Sequence, residues 1–195
     1  MRLFAKICLA MCSSSVLFLS GCQHLSQPNK VIASPQLQDE NNFNLQGKIG
    51  VRTPQQSGSA FFTWLQQQDQ FDIELTGILG VGKTQIQGKP GEVALNSAKT
   101  GLITAASPEE LLEKATGWQA PISQLSYWIQ GQSAPSDSHS QQDPQSRLIS
   151  AQNGDWQAQF SYANTTTTLP SRLTARHPNG YKVVMTINPL ETSKK

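Results

Sequence analysis

Leu75-Thr-Gly-Ile-Leu-Gly-Val-Gly-Lys-Thr84 admits two incompatible folds. Gly77 to Thr84 satisfies G-x-x-x-x-G-K-[ST], the phosphate-cradling loop of nucleotide hydrolases. The same residues read as a hairpin connection that carries the apolar pair Ile78-Leu79 into solvent. The nucleotide reading requires a parallel strand before the loop and a helix starting at its lysine, so that backbone N–H groups and the helix dipole meet the phosphates. After Lys83 the chain runs Thr84-Gln85-Ile86-Gln87-Gly88-Lys89-Pro90, which alternates like a strand and stops at glycine and proline. No βαβ repeat comes after it, and no apolar strand ends in a magnesium-binding aspartate. The hairpin reading prevails, and with it an antiparallel fold.

Upstream, Phe43, Leu45, Gly47, Ile49 and Val51 alternate with polar residues and glycine, the period-2 signal of a strand with one apolar face. Pro54 to Gly58 is turn chemistry. Ser59 to Gln67 forms a second strand, with Ala60, Phe62 and Trp64 on one face and Phe61, Thr63 and Leu65 on the other. Phe71, Ile73 and Leu75 mark a third. Downstream, 85–88, 92–96 and 102–106 are short strands bounded by glycine or proline, the spacing of an antiparallel meander.

The pattern then changes. Ser107-Pro108-Glu109-Glu110 combines an N-cap serine, a proline at the first helical position and a capping-box glutamate. Leu111, Leu112 and Ala115 supply an apolar face, and Gly117 closes the helix. Ile122, Leu125, Trp128 and Ile129 recur at helical spacing before Gly131, which predicts a second short helix with Trp118 between the two. Residues 132–145 are polar, with Pro135 and Pro144, and read as a loop rather than a domain boundary. Strands resume at 147–152, at 156–162, at 169–175 and at 181–187, the last two around the turn Pro178-Asn179-Gly180. The expected fold is mainly β (α+β): one curved antiparallel sheet of ten to eleven strands with two or three short helices covering its apolar face. Such a layer packs solid or leaves a cavity, and periodicity does not distinguish the two.

The first residues address the compartment. Arg2 and Lys6 precede an apolar run from Ile7 to Leu19, ending at Ser20-Gly21-Cys22, which reads as a secretory signal peptide over 1–21. Leu19-Ser-Gly-Cys22 resembles the bacterial lipobox, in which the cysteine is diacylated and becomes the new, acylated amino terminus. Cys8 and Cys12 leave with the signal, so no disulfide, thiol nucleophile or cysteine metal site is expected. The 15 basic residues fall to 13 without Arg2 and Lys6, against 13 acidic ones. That balance gives no indication of nucleic acid as a partner. From Cys22 to Asn42 the chain is polar and reads as a lipidated tether; 43–190 is one domain and 191–195 a polar tail.

Catalytic options are few. His139 falls in the polar loop and His177 at a turn, where solvated surface histidines are the simple reading. There is no G-x-S-x-G and no H-E-x-x-H, and no carboxylate cluster for a metal. The chain does not read as an enzyme, and no cofactor is expected.

An ordered set of short motifs carries a resemblance. Phe43-x-Leu45-x-Gly47-Lys48, Ser59-Ala60-x-Phe62-x-Trp64, Ile73-x-Leu75, Leu79-Gly80, Ser107-x-Glu109-x-Leu111 and Trp118-x-x-Pro121 come first. Leu125-x-x-Trp128-Ile129-x-Gly131, Arg147-Leu148, Gly154-x-Trp156 and Leu169-Pro170 continue it. Together with Cys22 they resemble the outer-membrane lipoprotein receptor LolB family. The resemblance implies an unclosed barrel around a hydrophobic cavity, whose role is to accept triacylated lipoproteins from the periplasmic carrier LolA. The receptor then releases them into outer-membrane lipids without nucleotide, acting as a monomer. It favours a cavity over a solid core, and Gln23 after the cysteine resembles an outer-membrane address. It places lipid on Cys22 and a membrane-engaging turn at Ile78, Leu79 and Gly80. Phe62, Trp64, Ile73, Leu75, Leu125, Trp128 and Ile129 are the expected cavity lining. Two departures stand out: Ile78 occupies a position that is often proline in the family, and Ile187-Asn-Pro-Leu190 replaces its aspartate-asparagine-tryptophan ending. A lipid-anchored structural subunit and a binder of another amphiphilic lipid are the alternatives.

Overall fold

A computed structural model of the protein describes residues 42–77, 82–117 and 119–189. The signal and tether, Cys22, the turn residues Ile78, Leu79 and Gly80, Trp118, and the C-terminal tail lie outside them. Eleven strands form a single antiparallel sheet. They are β1 (Asn42–Arg52), β2 (Ser57–Gln67), β3 (Gln70–Thr76), β4 (Lys83–Lys89), β5 (Glu92–Ser97), β6 (Gly101–Ala105), β7 (His139–Gln142), β8 (Leu148–Asn153), β9 (Trp156–Ser161), β10 (Arg172–Arg176) and β11 (Lys182–Pro189). The helices α1 (Pro108–Thr116) and α2 (Ile122–Trp128) fall between β6 and β7.

The spatial order is β6-β5-β4-β3-β2-β1-β11-β10-β9-β8-β7. Two meanders are therefore joined where the first strand pairs with the last, Gly47 opposite Ile187 and Val51 opposite Val183. Among the described residues β6 and β7 have no strand on their outer sides, so the sheet is an unclosed barrel. Because the helical segment runs in sequence from one free edge to the other, it spans the opening.

Lys83 to Lys89 is a strand antiparallel to β3, with Thr84 opposite Leu75. The backbone that a phosphate loop would use to start a helix is thus engaged in a ladder. Gly77 N–H donates to the Gly82 carbonyl at 3.4 Å, both glycines at positive φ, and Lys83 forms an ion pair with Glu74 on the neighbouring strand.

Period-2 alternation fixes the inner face. Ala60, Phe62, Trp64 and Gln66 of β2 are buried while Ser59, Phe61, Thr63 and Leu65 are exposed. One apolar cluster joins Phe62 and Trp64 to Phe43 and Leu45 of β1, to β8–β11 and to α2. The described strands share one sheet and one apolar cluster, so residues 42–189 form a unit with a core of its own. Gly47 permits a close strand approach: a Cβ there would stand 1.8 Å from the Thr186 carbonyl oxygen.

The helix signals act as read. The Ser107 side chain accepts from Glu110 N–H at 3.2 Å, Glu110 accepts from Ala106 N–H at 2.8 Å, and Gly117 ends the helix at φ 76°. α2 has no side-chain cap of its own from Pro121. Instead the Glu109 carboxylate of α1 accepts from Ser123 N–H at 2.7 Å and from Ser123 Oγ at 3.1 Å.

The stretch 132–145 departs from its reading as a loop. It contains β7, in which His139 pairs with Gln152 and Gln141 with Ser150. Its composition, His-Ser-Gln-Gln, has no apolar alternation because all four residues are exposed on an edge strand, so no periodic signal exists to detect.

Candidate lipid-binding face

The seven expected lining residues come together in one cluster. Phe62, Trp64, Leu125, Trp128 and Ile129 are buried, and Ile73 and Leu75 are partly buried against them. In-register pairs build the strand half of the site: Phe62 opposite Leu75 and Trp64 opposite Ile73. Phe43 lies beside Trp64 with ring centroids 5.5 Å apart, tilted by 59°. α2 supplies the other half, and Trp128 and Ile129 are both 0% exposed.

The two indoles have polar anchors. Trp64 Nε1 donates to Gln66 Oε1 at 3.0 Å, and Gln66 Nε2 donates to the Gln68 carbonyl at 2.7 Å. Trp128 Nε1 donates to Asp137 Oδ2 at 3.0 Å, which also accepts from Ala134 N–H at 2.8 Å. A buried indole N–H needs such a partner, so these contacts fix both rings.

Two groups escaped the sequence reading. Asp143 and Arg147 form an almost buried pair: Arg147 Nε donates to Asp143 Oδ2 at 2.8 Å and Nη2 lies 2.6 Å from the same oxygen. The Arg147 side chain also donates to the Asn164 carbonyl at 2.7 Å and lies 4.4 Å from the centroid of the Tyr162 ring. This latch ties the β7–β8 connection to the β9–β10 connection. The Arg147 hydrogen bond, followed by its backbone N–H, holds the Asp143 carboxyl below its ordinary value of 3.8 despite partial desolvation. Burial raises the Tyr162 phenol. The spacing Asp143-x-x-x-Arg147 was the one available signal, and it is common.

His177 is the second. It is not a solvated turn residue: its ring lies 5.3 Å from Trp156 and 6.0 Å from Tyr181, half-buried between them. Asn179 N–H donates to His177 Nδ1 at 3.2 Å, which places the proton of the neutral ring on Nε2. The reason is long-range, since Trp156 arrives from β9. His139 is exposed, on β7.

Two open hollows of about 400 Å³ each lie against the outer face, one around Phe61, Gln46, Lys48 and Glu74, the other around Leu65, Asp72 and Gln87. Phe61 is 67% exposed and Leu65 41%. Among the described residues no helix is long and apolar enough to cross a membrane, and no cluster of three or more metal-ligating side chains occurs.

The family model for the outer membrane lipoprotein LolB matches residues 41–188, which takes in both helices and the sheet but for Pro189. The chain belongs to the LolB family. Similar to it are outer-membrane lipoproteins LolB of Pseudomonas putida strain W619, 45% identical over 64% of this chain and 62% of that one, and of Pseudomonas fluorescens Pf-5, 43% identical over 65% and 62%. The LolB of Stutzerimonas stutzeri A1501 is 39% identical over 80% of each chain. The chain thus spans about three fifths of the length of the first two relatives. The matched region contains all seven inner-face residues as well as Asp143, Arg147 and His177.

Proposed function

We propose that the chain is a lipid-anchored receptor at the outer membrane, facing the periplasm. It takes triacylated lipoproteins from the carrier LolA and inserts them into outer-membrane lipid, by affinity and without nucleotide. The observation that carries this reading is the collection of Phe62, Trp64, Ile73, Leu75, Leu125, Trp128 and Ile129 on the inner face, between two unpaired sheet edges. Family membership and the relatives' names support it. Residues 1–21 are the signal, Cys22 carries the lipid, and 22–42 is the tether to the 43–190 domain.

Each buried methylene is worth about 0.8 kcal/mol, so acyl chains need a continuous apolar route from carrier to membrane. Trp128 and Ile129 already occupy the inner face, so an entering chain displaces them. α2 is the element that yields. At seven residues it is far below the length at which a helix holds itself, and it stays in place through Glu109–Ser123 and Trp128–Asp137. No bond is made or broken, and no cofactor takes part. Leu79, between β3 and β4 in sequence, meets the bilayer, with Ile78 and Gly80 beside it in the proposed insertion segment.

The deciding experiment mixes the domain lacking Cys22 with a carrier–lipoprotein complex in the absence of ATP. Transfer of the lipoprotein to the domain is expected. Retention on the carrier overturns the reading, and failure to bind any apolar probe identifies a structural subunit instead. Mass spectrometry of copurifying lipid separates a binder of another amphiphile.

A further inference from the structure

Strands β1, β2 and β7 to β11 contain no aspartate or glutamate, and their lysines and arginines are Lys48, Arg52, Arg172, Arg176 and Lys182. Each alternates with core positions, so all five turn to the outer face. The register sets Arg52 opposite Lys182 and Lys182 opposite Arg176. Three cations thus stand in one row across adjacent strands, spanning about 10 Å at ordinary strand spacing.

Like charges directly opposite repel, so such a row is unfavourable unless an anion meets it. The described residues do not supply one. Among the described residues Arg52 and Lys182 have no ion-pair partner, and Arg176 donates only to the neutral Gln159 Oε1, at 3.0 Å. Asp155, in the β8–β9 turn at the same end, faces His177 at 3.9 Å. The acidic residues of the sheet sit elsewhere, on β3 and β5.

The row also has a position. It closes the end of the sheet that bears the β1–β2 and β10–β11 turns. β3 ends at Thr76 opposite Phe61, short of the Arg52–Ser57 pair, so Gly77 and Gly82, hydrogen-bonded to each other, lie toward this same end. Lys99, in the β5–β6 turn, adds a further cation there.

We propose that this end of the sheet rests on an anionic phospholipid surface, with Arg52, Lys182 and Arg176 on headgroup phosphates. The choice of a bilayer over an acidic protein rests on the membrane role proposed for Ile78 and Leu79, which in sequence lie between Gly77 and Gly82 of this same end. Guanidinium groups pair with phosphate oxygens in forked geometry, which suits two of the three positions.

The test compares the domain lacking Cys22 with its Arg52→Gln/Arg176→Gln/Lys182→Gln variant in flotation with two vesicle types. These are phosphatidylcholine alone and phosphatidylcholine with one third phosphatidylglycerol. Each cation near an anionic surface contributes about fivefold, so the variant loses on the order of a hundredfold in affinity for the anionic vesicles. It keeps the weak binding to neutral vesicles, and added salt removes the difference. A control variant, Lys89→Gln/Lys114→Gln, alters neither, because those side chains already pair with Glu92 and Glu110. An unchanged melting temperature excludes misfolding, since relieving like-charge pairs costs no stability. Equal binding of wild type and variant to anionic vesicles overturns the proposal. So does a variant that keeps vesicle binding but no longer takes lipoprotein from the carrier, because the row then docks a protein. Charge-dependent vesicle binding without lipoprotein transfer leaves this inference standing and overturns only the receptor reading.

Discussion

Trp128 Nε1 and Asp137 Oδ2 are 3.0 Å apart, and this contact fastens the last residue of α2 to the segment leading into β7. The same oxygen accepts from Ala134 N–H and Ser133 Oγ, while Asp137 Oδ1 is buried without a protein partner. Asp137→Ala removes the acceptor and leaves the indole N–H unpaired. A loss of about 1–3 kcal/mol is expected, read as a lower midpoint in urea at unchanged slope. Because α2 is then looser, binding of an apolar probe rises per folded molecule.

The inner face separates packing from binding. Trp128→Ala removes a fully buried ring and costs about 3–5 kcal/mol. Leu75→Ser, at a half-buried position, costs less stability and weakens uptake of lipoprotein or an acyl probe. If Leu75→Ser left uptake at the wild-type level, Leu75 would be struck from the lining.

Two glycines on one strand behave differently. A Cβ on Gly47 meets the Thr186 carbonyl oxygen at 1.8 Å and Phe62 Cε1 at 3.0 Å, whereas on Gly50 the nearest atom is 3.9 Å away. Gly47→Ala therefore loses about 3 kcal/mol or more, because backbone rather than a flexible side chain must move. Gly50→Ala stays within about 1 kcal/mol of wild type. Chemical denaturation of the two variants checks the pair.

Acid stability tracks the Asp143–Arg147 latch. Asp143 is held below its ordinary value of 3.8 by the Arg147 hydrogen bond, and Glu110 below 4.5 by Lys114. A depressed folded-state value means the unfolded chain binds protons first. The stabilisation is present above the unfolded values and fades as pH falls through the lowered folded ones. Melting temperature is expected to drop below about pH 4. Asp143→Asn flattens that drop, and an identical acid limb in the variant removes the latch from the account.

Leu79→Glu tests the turn directly. Burying one leucine is worth about 1.5–3 kcal/mol, enough to orient a tethered domain on a bilayer but not to anchor it. The variant is expected to fold and accept lipoprotein but to fail in insertion, measured as lipoprotein recovered with vesicles. Wild-type insertion would remove Leu79 from the mechanism.

Local order was legible in the chain. Alternation placed Phe62 and Trp64 on one face and Phe61 and Leu65 on the other, and Ser107-Pro108-Glu109-Glu110 marked a helix start, because these signals act over a few residues. The strand alternation after Lys83 was enough to replace a phosphate loop with a hairpin. Motif order pointed to the family. Local signals could not reach further. β7 carries no periodicity, since neither of its faces is buried. The Arg147 latch, the ring contacts of His177 and the junction of β1 with β11 join residues far apart in sequence. The cation row is the clearest case. Residues 22–195 carry 13 basic and 13 acidic side chains, and Arg52, Arg176 and Lys182 lie in separate segments of a chain that shows no basic run. Only the long-range register of β1, β11 and β10 puts them side by side. Register depends on which strand each strand meets, which one strand's alternation leaves open.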